Sequence, residues 1–88
     1  MENLKQSLEK LHERLINTSS IDEESKEMLR KLIKDIREVL DKAEVTSVKK
    51  HQSIIEGLKE EAQKFELSHP ELAGAINIVI NGLQSLGI

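Results

Sequence analysis

From Leu72 to Ile88 the chain carries no charged side chain, whereas all 13 basic and 16 acidic residues lie between Glu2 and Glu71. That asymmetry constrains the fold. Apolar surface is driven out of water, so a mostly aliphatic ending on an otherwise charged chain must be sheltered. The shelter is the chain's own core, a second copy, another protein or a lipid surface.

Eighty-eight residues make one domain. A chain this short buries roughly 60–65% of its unfolded surface, so its core is marginal and small proteins usually add a cross-link, a metal or a partner. There is no cysteine, so disulfides and thiolate metal sites are excluded. Self-association is then the simplest source of further buried area. The start, Met1-Glu2-Asn3-Leu4-Lys5, has neither the basic opening nor the apolar run of a signal peptide, and a cytoplasmic location is expected.

Net charge is −3, with both signs interspersed at helical spacing. Lys49-Lys50-His51 is the only cluster of basic character and is too small for a nucleic-acid footprint. Tyrosine and tryptophan are absent and Phe65 is the sole aromatic, so there is no base-stacking platform. No nucleic-acid partner is expected.

Four segments have helical periodicity. Leu4, Leu8, Leu11 and Leu15 form one narrow stripe suited to a coiled-coil seam. It stops near Asn17, because Asn17-Thr18-Ser19-Ser20 competes with the helical backbone for hydrogen bonds. A second helix follows, with Ser20 and Glu23 at capping-box spacing and Asp22, Glu23 and Glu24 at the positive end of its dipole. Its stripe of Met28, Leu29, Leu32, Ile33, Ile36, Val39, Leu40 and Ala43 is broad enough to face more than one neighbour. Glu27 with Lys31 and Glu38 with Lys42 are i,i+4 pairs worth about 0.2–0.5 kcal/mol each. The short link to the first helix favours an antiparallel hairpin.

The stretch Glu44 to Ser47 is read as a break, since Val45, Thr46 and Val48 are β-branched. The third helix presents His51, Ile55, Leu58, Ala62 and Phe65 on one face, with Ile54 beside them; Gly57 costs it about 1 kcal/mol relative to alanine. Ser68-His69-Pro70-Glu71 is the sharpest punctuation, with proline suited to a first helical turn and Ser68 at capping-box spacing from Glu71. The fourth helix carries Leu72, Ile76, Val79, Leu83 and Leu86, widened by Ala73, Ala75 and Ile80, with Asn77, Asn81 and Gln84 opposite and Gly87 as a C-terminal cap. Ile76 to Gly82 also alternates as a strand would. Helix is preferred, because no second strand exists to pair with it.

Several strings together resemble a known family. They are Leu11-His12, Ile21-Asp22-Glu23-Glu24-Ser25 followed by Leu29-x-x-Leu32, then Phe65-Glu66-x-Ser68-His69-Pro70-x-Leu72, and the closing Gly87-Ile88. They look like a family of short, uncharacterised bacterial proteins classed as a domain of unknown function. The similarity covers essentially the whole chain, and its most specific piece is Phe-Glu-x-Ser-His-Pro-x-Leu. It implies a free-standing all-helical bacterial protein and supplies no catalytic residues.

Chemistry-bearing residues are few. Glu9-x-x-His12 and Glu66-x-x-His69 have the i,i+3 spacing of a di-metal carboxylate bundle. Pro70 interrupts the second pair, and Glu9 and Glu13 flank the leucine stripe instead of replacing it, so the histidines read as a surface residue and a cap. His51 shares a face with Ile55 and Leu58, as a boundary residue or a pH-sensitive contact. Ser68 and His69 are adjacent, but adjacency does not give a nucleophile–base hydrogen bond, and Ser68 reads as a cap. Gly57, Gly74, Gly82 and Gly87 are too scattered for a phosphate loop.

The expectation is therefore an all-α bundle: an antiparallel hairpin over about 2–17 and 21–43, then helices over about 48–66 and 70–86. No catalytic residue, cofactor or metal is assigned. The function expected is a non-enzymatic assembly or adaptor module, a homo-oligomer and most simply a dimer, with an unidentified protein as a further partner. Its interface residues would be Leu4, Leu8, Leu11, Leu15, Leu72, Ile76, Val79, Leu83 and Leu86, with the last helix packed on the second and third. The alternatives are a peripheral membrane protein using the uncharged last helix, and a di-metal carboxylate bundle. Against a membrane role, that helix is short, is interrupted by Asn77, Asn81 and Gln84, and lacks a basic polar face.

Overall fold

Four helices follow the sequence pattern closely: α1 (Glu2–Asn17), α2 (Glu23–Lys42), α3 (Val48–Phe65) and α4 (Pro70–Ser85). The computed structural model describes the backbone of residues 2–42 and 48–85, and the side chains of residues 4–40 and 52–85. The alternating stretch from Ile76 to Gly82 is helix, since the aliphatic side chains of α4 find their neighbours at a period of 3.6 and not 2. Within the described residues α2 and α3 are separate antiparallel helices. The expected break at 44–47, Ala43, the cap at Gly87 and the side chains of Lys42, Lys49, Lys50 and His51 lie outside them.

The local causes are visible where α1 ends, α2 starts, α3 ends and α4 starts. At the end of α1, Thr18 turns both its N–H (2.9 Å) and its hydroxyl onto the Arg14 carbonyl. The competition expected from this polar run is therefore what stops the helix. Ser20 then adopts a left-handed backbone, φ 70°. The expected box of Ser20 with Glu23 is thereby corrected. Asp22 is the N-cap of α2: its Oδ2 accepts the Ser25 N–H at 3.2 Å, and its carbonyl accepts the Lys26 N–H at 3.1 Å. At the end of α3 the Phe65 carbonyl accepts the His69 N–H at 2.8 Å, and α4 starts with Pro70 as its first helical residue. The His69 carbonyl accepts the Ala73 N–H at 3.0 Å, so His69 and not Ser68 occupies the N-cap position.

The helices form a closed ring. α1 packs on α2 and α4, and α3 packs on α2 and α4, leaving α1 diagonal to α3 and α2 diagonal to α4. Neighbours run antiparallel: Arg14 meets Glu71, Leu4 meets Gly82, Asp22 meets Lys64 and Leu32 meets Gly57. This is an up-down-up-down four-helix bundle, 36 × 23 × 19 Å, its long axis matching helices of 16 to 20 residues. The expected seat of α4 on α2 and α3 is corrected here. Its apolar side spans α1 and α3, which closes the ring and shelters the charge-free ending.

One core fills the interior. The α1 stripe of Leu4, Leu8, Leu11 and Leu15 is buried whole. Leu29, Leu32, Ile33, Ile36 and Val39 join it from α2, Ile54, Ile55, Leu58, Ala62 and Phe65 from α3, and Leu72, Ala73, Ile76, Val79, Ile80 and Leu83 from α4. Each fully enclosed leucine or isoleucine contributes about 1.5–3 kcal/mol.

Candidate functional site

The Phe65-to-Leu72 string builds a corner. Phe65 is buried, the His69 ring lies 5.7 Å from it at a tilt of 57°, and the Lys64 ammonium sits 5.8 Å from the Phe65 ring centre. Pro70 starts the next helix and Leu72 returns to the core. Phe65, His69, Pro70 and Leu72 of the string are thus engaged in joining α3 to α4. Arg14 clamps the same corner from α1, its Nη1 2.7 Å from Glu71 Oε2.

A polar clasp that sequence reasoning missed joins α2 to α3. Ser25 is 2% exposed, and the Lys64 ammonium donates to its hydroxyl and approaches Asp22 Oδ1 at 3.3 Å. Glu61 lies beside them, with Oε1 shut away from water and lacking a hydrogen-bond partner. Loss of hydration pushes the Glu61 carboxyl up; the Lys64 charge and the Ser25 hydroxyl oppose that shift without cancelling it. Loss of hydration also acts upward on Asp22, yet the Ser25 N–H, the hydrogen bonds from Lys64 and Ser25 and the Lys64 charge hold it below the usual range. A lysine beside a serine suggests a nucleophile and its base. Here the ammonium is ion-paired with Asp22 and the hydroxyl is enclosed, so the pair works as a clasp. Ser25 lies four residues before Leu29 on the α2 stripe, and a hydroxyl at that register position was the available signal.

The residues with i,i+3 metal-ligand spacing do not converge. Glu9 and Glu66 are exposed, His12 is half-buried on α1, and Glu66 lies beyond the end of α3 while His69 precedes α4. Among the described residues no three His, Asp or Glu side chains are placed to hold a metal ion. Among the described residues, the grooves lined by Lys5, Leu8, Glu9, Arg37 and Leu40 and by Ser7, Lys10, Arg14, Glu71, Gly74, Ala75 and Ile78 are open, of about 180 and 320 Å³.

Eight of the nine expected interface residues, Leu4, Leu8, Leu11, Leu15, Leu72, Ile76, Val79 and Leu83, belong to the core of the single chain; Leu86 lies outside the described residues. A stripe of period 3.6 marks a face to be covered, and here the chain's own helices cover it.

The surface offers one unusual face. Beyond Glu71 the outward residues of α4 are Gly74, Asn77, Ile78, Asn81, Gln84 and Ser85, none charged. α1, α2 and α3 all present acids and bases outward. Ile78 is 56% exposed on this face and borders the groove between α1 and α4, with Lys10, Arg14, Glu71, Gly74 and Ala75. Among the described residues no helix is long and apolar enough to cross a membrane.

Residues 4–88 match the family model described as Domain of unknown function (DUF4404). No curated protein and no solved structure matches the chain.

Proposed function

We propose, for a chain that belongs to the DUF4404 family, a non-enzymatic role as a small helical assembly module that associates with itself, most simply as a two-fold dimer. One observation carries the reading: beyond Glu71 the outward face of α4 is free of charge, on a protein whose other helices are charged outside. Two copies of an acidic chain approach with least repulsion and least desolvation at that face. Depletion of charge is also what distinguishes the centre of protein interfaces from ordinary surface. The clasps at Ser25–Lys64 and Arg14–Glu71 add support, because they engage polar side chains in holding the bundle. A bacterial, cytoplasmic setting belongs to the same proposal.

Peripheral membrane binding through α4 draws less support. Its apolar side packs on α1 and α3, so a bilayer would be offered Ile78 and neutral polar groups unless the bundle opened.

Sedimentation velocity and light scattering on the full chain, from micromolar to several hundred micromolar, test the proposal. A mass that rises toward twice 10.0 kDa is expected. A monomer across the whole range would overturn it.

A further inference from the structure

We infer that two copies pair along α4, antiparallel about a two-fold axis, with Ile78 of each copy seated over Gly74 of the other. The inference rests on self-association and deepens it by naming the contact.

The glycines point to it. A Cβ at Gly57 would lie 3.2 Å from Leu32 Cδ2, and one at Gly82 would lie 2.8 Å from Leu4 Cδ1. At both positions a neighbouring helix uses the space a side chain would take. At Gly74 a Cβ would meet nothing within 4 Å. Glycine inside a helix costs about 1 kcal/mol relative to alanine, and within one chain nothing at Gly74 returns that cost. It leaves a notch in an outward, uncharged face.

A matching knob lies one turn further along the same face. Ile78 is four residues on, about 6 Å along the axis, and more than half exposed. Two antiparallel copies of α4, related by an axis at the level of Ile76, place each Ile78 opposite the other copy's Gly74. Residue i meets j and j meets i, as a two-fold contact requires. Removing the side chain at the contact lets the helix axes come closer than two ordinary side chains allow.

The flanking groups fit the same arrangement. In this register the Asn81 amide, a hydrogen-bond donor, faces the second copy's Glu71 carboxylate. Glu71 falls opposite the second copy's Asn81, not opposite another carboxylate, and is already paired with Arg14 at 2.7 Å. A parallel pairing would set Glu71 against Glu71 and Ile78 against Ile78.

Gly74→Ala separates this contact from the fold. Thermal unfolding at low concentration should show the variant at least as stable as the parent, because the new methyl has room in the single chain. Sedimentation equilibrium should show dimerisation weakened by about tenfold or more, the equivalent of about 1.4 kcal/mol. Ile78→Lys should abolish the dimer and leave the monomer folded. Orientation is read separately in this cysteine-free chain. Gly74→Cys and Ile78→Cys proteins, mixed and oxidised, should give mainly the mixed disulfide. A dimer indifferent to both Gly74→Ala and Ile78→Lys, or one giving mainly like-with-like disulfides, overturns the pairing and leaves self-association standing. A parent chain that stays monomeric overturns both.

Discussion

Gly82 of the last helix packs directly against Leu4 of the first: a Cβ at Gly82 would stand 2.8 Å from Leu4 Cδ1. Leu4 is 4% exposed and packed on all sides, so its tip has little room to retreat. Alanine at 82 gains helix propensity but forces that tip to move, and overpacking of a closed core costs about 1–3 kcal/mol. Gly82→Ala is expected to destabilise by about 1 kcal/mol in urea unfolding. In a Leu4→Ala background the same change should stabilise, because the obstruction is gone. A double-mutant cycle without that reversal of sign would show that Gly82 is not held to glycine by Leu4.

Ser20 carries a second prediction. Its φ of 70° places a non-glycine residue in the left-handed region, which costs an ordinary residue about 1–2 kcal/mol. Ser20→Gly removes that cost and adds freedom to the unfolded chain. The expected net gain is on the order of 0.5 kcal/mol. Ser20→Val should lose at least 1 kcal/mol, since branching at Cβ worsens the same clash. Thermal melts of the two variants should move in opposite directions from the parent.

That residue also marks where the sequence stopped being legible. Ser20 and Asp22 are both capping residues two positions apart, and local pattern does not choose between them; the backbone reversal does. Helix extents were readable because Leu4, Leu8, Leu11 and Leu15 keep helical spacing and Pro70 fixes a start. A stripe identifies a face but not its partner. Leu72, Ile76 and Val79 therefore read equally well as core or interface, and nothing in the stripe says that the second neighbour of α4, beside the expected α3, is α1 and not α2. The clasp of Ser25 with Lys64 joins residues 39 apart. Only a hydroxyl on the stripe of Leu29 hinted at it. Gly74 is an ordinary glycine until the emptiness around it is known.

The clasp predicts opposing pH dependences. Asp22 is held below its ordinary value of 3.8 in the folded state. Its contribution is present above that value and is lost as pH falls through the folded pKa. Glu61 is raised above 4.5. Its contribution is present below pH 4.5 and is lost as pH rises through the folded pKa, leaving an ill-solvated carboxylate at neutrality. Glu61→Gln should therefore be more stable than the parent at pH 7. The gain is on the order of 0.5 kcal/mol once solvent screening of this partly exposed group is allowed for. It should shrink as pH falls through the raised folded pKa and be gone below 4.5. Urea unfolding of parent and variant at matched pH values checks this, and a constant offset across the range would refute the assignment.

Ile76 and Ile78 provide a matched pair two residues apart. Ile76 is 0% exposed and Ile78 is 56% exposed, because two residues turn the helix by about 200°. Ile76→Asp would place an unpaired carboxylate in the core, at a cost of about 4–5 kcal/mol. An 88-residue chain has only about 4–13 kcal/mol of total stability, so much of the fold's margin would go. Ile78→Asp should leave monomer stability within about 0.5 kcal/mol of the parent. Circular dichroism melts distinguish the two. The same pair bears on the membrane reading. If α4 turned its apolar side to a bilayer, Ile76→Asp would abolish flotation with anionic vesicles while sparing the fold. With the side chain enclosed as described, Ile76→Asp instead unfolds the bundle, and the parent does not float.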